Sequence, residues 1–295
     1  MNKKHLDSVQ SDVAMPLHHA GAPGWSVANA SDAIRANALY FDNADWAQEY
    51  LTYCHRSASF RERWLAATGD WTGKVVVDLG CGPGNVFATV GGQPARLIGV
   101  DVARGSLDLA AKQGYQTLLA DAAHVPLASG LADIVAINAS LHHCEDMREV
   151  LVEAARLVKP GGLLVTDHDP QRSAWDYKGL AKLLWIARLG VYRVTGHGFH
   201  KNANQQACGL KTEIHHRPGD GVTETFFFET LAPLGFSVKV HAHNHEIGAA
   251  VLEGQAGPAA WKYTLGHLLS GRHPRARASA LSLMCIAKKT GHAVA

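Results

Sequence analysis

Val75-Val76-Val77-Asp78-Leu79-Gly80-Cys81-Gly82-Pro83-Gly84-Asn85 is the stretch that decides the fold. A continuous β-branched run reads as a strand buried on both faces, which is the signature of a parallel sheet covered by helices. Three alternating glycines follow it, where a Cβ would block a sharp turn and a close approach to a ligand. Working outward, Leu97 to Asp101 reads as the next strand, Tyr115 to Ala120 as a third, Ile134 to Ala139 as a fourth and Leu163 to Asp167 as a fifth. Helical patterns lie between them, from Gly105 to Lys112 and from Met147 to Val158, the second ending at Pro160-Gly161-Gly162. Strands alternating with helices imply a doubly wound α/β sheet with ligands at the carboxyl ends of its strands.

The glycine spacing separates two cofactor classes. A dinucleotide loop places its glycines as Gly-x-Gly-x-x-Gly and holds pyrophosphate on a helix N-terminus. Here the order is Gly80-x-Gly82-x-Gly84, with Asn85 and Phe87 where a third glycine would be needed. Asp78, just before the loop, suits a cationic amino group better than a phosphate. S-adenosylmethionine (SAM) carries an ammonium and a sulfonium and no phosphate. Asp101 ends the next strand, where a carboxylate can accept hydrogen bonds from both ribose hydroxyls.

Asp78-Leu79-Gly80-Cys81-Gly82-Pro83-Gly84 resembles the first motif of class I SAM-dependent methyltransferases. Downstream residues resemble the branch that holds the ubiquinone- and menaquinone-pathway enzymes and many natural-product methyltransferases. Asp121-Ala122-Ala123-His124-Val125-Pro126-Leu127 is similar to that branch's Asp-Ala-x-x-Leu-Pro-Phe segment, whose Asp holds the adenine amino group. Ser140-Leu141-His142-His143 stands where the branch often has a His pair. Arg156-Leu157-Val158-Lys159-Pro160-Gly161-Gly162 and the segment from Thr223 to Leu234-Gly235-Phe236 match two later motifs. The likeness covers residues 70–170 well and the last sheet elements loosely.

The resemblance implies a Rossmann-like, seven-stranded, mostly parallel sheet with an antiparallel last strand, a helical N-terminal extension and helical lid insertions. In chain order we expect a loose arm over 1–30, a helical cover over 31–70, the SAM-binding core over 71–170 and a lid insertion over 171–222. The rest of the sheet follows over 223–295, interrupted by a second insertion over 247–277. The expected cofactor residues are Asp78, Gly80, Gly82, Gly84, Asp101, Asp121, Ala122 and Asn138; the last either faces the ligand or closes a turn. His142 and His143 are the candidate acid–base pair, or else they only shape the pocket. The implied activity is methyl transfer to O, N or C of a small apolar or aromatic metabolite. SAM-dependent chemistry other than methyl transfer, or regulation, is the alternative.

Other features limit the partners. With 28 basic and 26 acidic residues the net charge is +2, which gives no reason to expect nucleic acid. A nucleic-acid methyltransferase is further disfavoured by Asn138-Ala139-Ser140-Leu141 in place of an aromatic motif after strand four. Five scattered cysteines without a Cys-x-x-Cys pair suggest a reducing cytoplasm and neither a disulfide framework nor zinc. His241, His243 and His245 alternate along a strand far from the glycine loop and read as a polar edge face. With Asn138 in place of a carboxylate near Asp167-His168-Asp169, no metal is expected. Trp175 to Tyr192 reads as a lid over the substrate, then as core, then as a membrane-surface helix. No run is apolar enough for stable membrane insertion, and the oligomeric state is open.

Overall fold

The computed structural model describes Val27 and residues 30–195 and 203–290, so the arm expected over 1–30 lies almost wholly outside the described residues. Three helices come first: α1 (Asp32–Phe41), α2 (Ala44–Tyr53) and α3 (Ala58–Thr68). Each starts on a side chain that satisfies amide groups of its first turn: Ser31 for Ile34, Asn43 for Asp45 and Trp46, and Ser57 for Phe60.

The alternating core follows as β1 (Val75–Leu79), α4 (Asn85–Val90), β2 (Arg96–Asp101), α5 (Arg104–Lys112), β3 (Gln116–Leu119), β4 (Ala132–Asn138), α6 (Met147–Leu157) and β5 (Val158–Pro170). The insertion holds α7 (Arg172–Trp175), α8 (Gly179–Thr195) and α9 (Ala203–Thr212). Then come α10 (Glu224–Leu231), β6 (Phe236–His243), α11 (Trp261–Leu269) and β7 (Ser282–Lys289).

Among the described residues, seven strands form one sheet in the order β3-β2-β1-β4-β5-β7-β6. The β1–β2, β1–β4, β2–β3 and β4–β5 pairs are parallel, and β7 is antiparallel to both β5 and β6. This is the sheet that the alternation and the resemblance predict. One detail differs: Pro160-Gly161-Gly162 does not separate α6 from the strand. β5 begins at Val158, and the four residues after it bulge out opposite Asp133 before pairing resumes at Leu163.

Because β7 is reversed between them, β6 runs the same way as β5, so its carboxyl end arrives at the ligand side of the sheet. His243 and His245 are therefore no polar edge face, contrary to the pattern reading. His243 is fully buried, with the His168 and His245 rings against it. There Asp167 sits at 0% exposure and accepts hydrogen bonds from Arg63 Nε (3.0 Å), Trp64 Nε1 (3.1 Å), His243 Nε2 (2.7 Å) and its neighbour's amide. His243 Nδ1 accepts the His245 amide at 3.1 Å, so the ring is neutral and carries its proton on Nε2. Arg63 also donates to the carbonyls of His245 and Ile247. One buried ion pair thus joins α3 to β5 and to the segment that follows β6.

Cutting one partner of such a pair leaves the other charge buried and unmatched. Arg63→Ala should therefore cost about 3–5 kcal/mol in urea unfolding. Acid should act at the same place. Burial lowers the His243 pKa from its ordinary 6.5 to about 4, against the pull of Asp167. The unfolded chain takes up this proton first, so the contribution is present above about pH 6.5 and is lost as pH falls from there toward 4. A melting temperature that drops across this window in wild type, and drops less in His243→Gln, is the expected result.

Candidate functional site

The carboxyl ends of β1, β2 and β4 open into a cavity of about 630 Å³. Its floor is the glycine loop. Gly80 and Gly82 line it with φ of 66° and 52°, and a Cβ on Gly82 would meet no protein atom within 4 Å. A side chain at Gly82 would therefore fill the cavity itself. At Gly80 a Cβ would collide with Ser140, which closes the loop from the β4 side.

Asp101 fixes the loop. Its Oδ2 accepts the Gly82 amide at 2.8 Å and its Oδ1 accepts the Ala103 amide at 2.9 Å. Burial pushes this carboxyl above its ordinary value, while these two donors pull the other way. Asp121 stands beyond it at the end of β3, its Oδ1 accepting the Ala123 amide at 3.0 Å. Ala122 and Asn138 complete this side of the wall. The Asn138 Oδ1 is buried and has no hydrogen-bond partner among the described residues. Asn138 is the last residue of β4, directly before Ala139, which is held at φ 51°.

Two of the expected cofactor residues stand behind the wall. Asp78 is fully buried, and its Oδ2 accepts from the Tyr115 hydroxyl at 2.7 Å. Burial pushes its carboxyl up to about 7, against the pull of that hydroxyl. Gly84 caps α4 in the left-handed region, and a Cβ there would lie 2.9 Å from the Tyr115 ring. Gly99 makes room for the same ring, 2.7 Å from where its Cβ would be. Tyr115 is thus the buried post under the loop. Its position just before a short strand gives no sign of this in the sequence.

The opposite wall carries the histidine pair. His142 Nδ1 lies 2.9 Å from Asp169 Oδ1, which also accepts the His142 amide at 3.1 Å. A carboxylate can only accept, so when Asp169 is ionised the ring carries its proton on Nδ1 and leaves Nε2 as a lone pair. Burial lowers the pKa of His142 to about 3, with His216 adding to it, and raises that of Asp169 to about 7. His143 donates through Nδ1 to the Thr212 carbonyl at 2.9 Å, and burial lowers its pKa to about 3 as well. The two rings lie 4.2 Å apart between centroids, and Phe41 packs edge-on against His143.

Residues far away in sequence hold this pair. Asn37 of α1 donates to the His143 carbonyl at 3.3 Å, and the His215 amide, after α9, donates to the His142 carbonyl at 3.0 Å. The roof is α8 and α11, with Trp185, Arg188 and Tyr192 from the first and Lys262 and Tyr263 from the second. Arg188 stacks its guanidinium 3.3 Å from the Trp185 ring centre. The stretch that reads first as a lid, Trp175 to Tyr192, contains the α8 roof residues. No pattern in the sequence marks Asp169 as a partner of His142, or the contributions of Asn37 and α11, because contacts spanning 27 to 106 positions leave no local spacing to find. Among the described residues, no three His, Cys, Asp or Glu side chains converge so as to hold a metal ion.

Known proteins resemble parts of this sequence and share its fold. A family model described as "Methyltransferase domain" matches residues 77–166. A malonyl-[acyl-carrier protein] O-methyltransferase of Yersinia pestis is 36% identical over 96 residues, 32% of this chain and 36% of that one. A demethylmenaquinone methyltransferase of Thermobifida fusca is 31% identical over 148 residues, 45% of this chain and 62% of that one. The chain therefore spans less than two thirds of either relative. A methyltransferase solved in complex with the Haloferax volcanii Trm112 activator shares the fold at a TM-score of 0.53 and 18% identity, over 87% of this chain and 98% of that one.

The post under the loop can be tested alone. Among the described residues, the Tyr115 hydroxyl is the side-chain donor to Asp78, so Tyr115→Phe leaves that buried carboxyl without it. A loss of about 1–3 kcal/mol in thermal or urea unfolding is expected. A change within a few tenths would mean that the hydroxyl carries no structural weight.

Proposed function

We propose that this chain, whose residues 77–166 are a methyltransferase domain, binds SAM on the glycine loop and transfers its methyl group to O, N or C of a small apolar or aromatic metabolite. The observation that carries this reading is the loop itself, an open backbone cradle at Gly82 anchored on the Asp101 carboxylate. The lining fits the cofactor's chemistry. Asp101 keeps lone pairs for ribose hydroxyls, and Asn138 Oδ1 is a buried acceptor that lacks a donor among the described residues. Among the described wall residues the cations are Arg188 and Lys262, both in the roof, so the loop end offers no Lys or Arg to a pyrophosphate. SAM, when bound, supplies a methyl group on a sulfonium that leaves as a neutral thioether.

The residues of the chain then have three tasks. Asp101 and Asn138 hold the cofactor's polar groups, while Asp121, at the end of β3, serves its adenine amino group as the family resemblance implies. The apolar and aromatic walls from α1, α7, α8 and α11 position the acceptor and keep water out, which is where most of the rate of such a transfer comes from. His142 takes the proton that an acceptor O–H or N–H must lose, through Nε2, with Asp169 fixing the ring's tautomer and orientation. Carbon acceptors would use the same lone pair. That the relatives include proteins named O-methyltransferases supports an oxygen acceptor.

The pair sets a pH signature. Asp169 must be ionised for His142 to present Nε2 as an acceptor, and its pKa of about 7 means that turnover should rise through neutral pH to a plateau. His142→Ala should cost about 10²–10⁴-fold in kcat with little change in SAM affinity, most at neutral pH and less where the acceptor ionises unaided. Asp169→Asn should lower kcat and remove the rise near 7. Near-normal turnover of both variants across the series would leave positioning as the whole of catalysis.

A further inference from the structure

The roof of the cavity has an outer face as well as an inner one. On α8 the inner stripe is Ala181, Trp185, Arg188 and Tyr192, spaced as one helical face, and the last three line the cavity. A second stripe at helical spacing, Leu180, Leu183, Leu184, Ala187, Val191 and Val194, is exposed. Leu183 is 65% exposed and Val194 89%. α11 packs beside α8 and repeats the pattern: Tyr263 and His267 face inward, while Trp261 (77% exposed), Leu265 and Leu268 face out. An isolated exposed leucine means nothing, but contiguous apolar stripes on two touching helices mark a surface that is covered in use.

Charge identifies what covers it. There is no Asp or Glu from 177 to 212, or from 254 to 280. The cations there include Lys182 beside the α8 stripe, Lys178 at its start, paired with Asp176 at 3.4 Å, and Arg272 and Arg275 just past α11. An apolar face with an exposed Trp, rimmed by Lys and Arg that outnumber the one neighbouring acid, Asp176, matches the boundary between anionic headgroups and acyl chains. The long cationic side chains can reach the headgroups while leucines enter the acyl region. At 17 residues α8 is about 25 Å long, and none of the described helices is long and apolar enough to cross a bilayer. The face suits lying on a membrane.

We infer that α8 and α11 dock the protein on an anionic lipid surface, with the cavity roof against the bilayer. An apolar acceptor dissolved in the membrane would then reach the cavity past helices that are already in contact with it. The docking itself does not depend on which cofactor the cavity holds.

The test is co-sedimentation of the full chain with vesicles of phosphatidylcholine alone or with about 30% phosphatidylglycerol, at low and at high salt. Wild type should pellet with the anionic vesicles, less with the neutral ones, and less in high salt. Leu183→Glu with Leu268→Glu, both on the outer face, should lower vesicle affinity at least about 10-fold while circular dichroism and melting stay as in wild type. If the double variant melts early, Leu183→Ser with Leu268→Ser gives the same reading with a milder change. Wild type that stays in the supernatant with both vesicles overturns the inference. So does a soluble dimer that these substitutions dissociate, because the face would then be covered by a second copy.

Discussion

The hydrogen bond from the Gly82 amide to the Asp101 carboxylate, 2.8 Å long, is the contact on which the rest of the site depends. It ties the loop after β1 to the end of β2 and opens the loop's backbone toward the cavity. It is available only because position 82 is glycine at φ 52° and because β1 and β2 pair in parallel register, which brings their carboxyl ends side by side. Tyr115 does the same work from below, filling the room left by Gly84 and Gly99 and donating to Asp78. Charge and backbone are spent on holding a shape, and the ligand-facing surface is left mainly to amides, two carboxylates and an amide side chain.

The second half of the site is built differently. The cofactor wall is local to the first strands, but the acceptor wall is assembled from segments that meet only in the folded chain. His142 and His143 follow β4, yet Asp169, Thr212, His215, Asn37 and Phe41 set their rings and backbone. The buried Asp167 cluster with Arg63 and His243 anchors α3 to β5, the strand that also ends in Asp169 and Pro170, while α1 reaches the pair directly through Asn37 and Phe41. A change in the cover helices can therefore alter the acid–base pair without touching it.

How much was legible follows from this division. The glycine loop, Asp101, Asp121 and the sheet were readable because their constraints act between neighbours: a run of valines, alternating glycines, an acid at a strand end. Asp78 and Gly84 were legible as motif members, but their places behind the wall depend on Tyr115, 37 positions from Asp78. His243 looked like part of a polar edge because a period of two shows which residues share a face and says nothing of what packs on it. Reversal of β7 and the reach of Arg63 from α3 decide that. The lid stretch had three readings for the same reason. Its pattern holds two stripes, one roofing the cavity and one facing outward, and sequence spacing cannot assign which is which.

The central claim is that the loop and Asp101 form a SAM site. Calorimetric titration of the purified protein with S-adenosylhomocysteine and with NAD, repeated on Asp101→Ala, tests it most directly. The account predicts binding of S-adenosylhomocysteine, none of NAD, and a loss of about 1–3 kcal/mol in the variant as the ribose hydroxyls lose their acceptor. Binding of NAD, or an affinity for S-adenosylhomocysteine unchanged in Asp101→Ala, would contradict it.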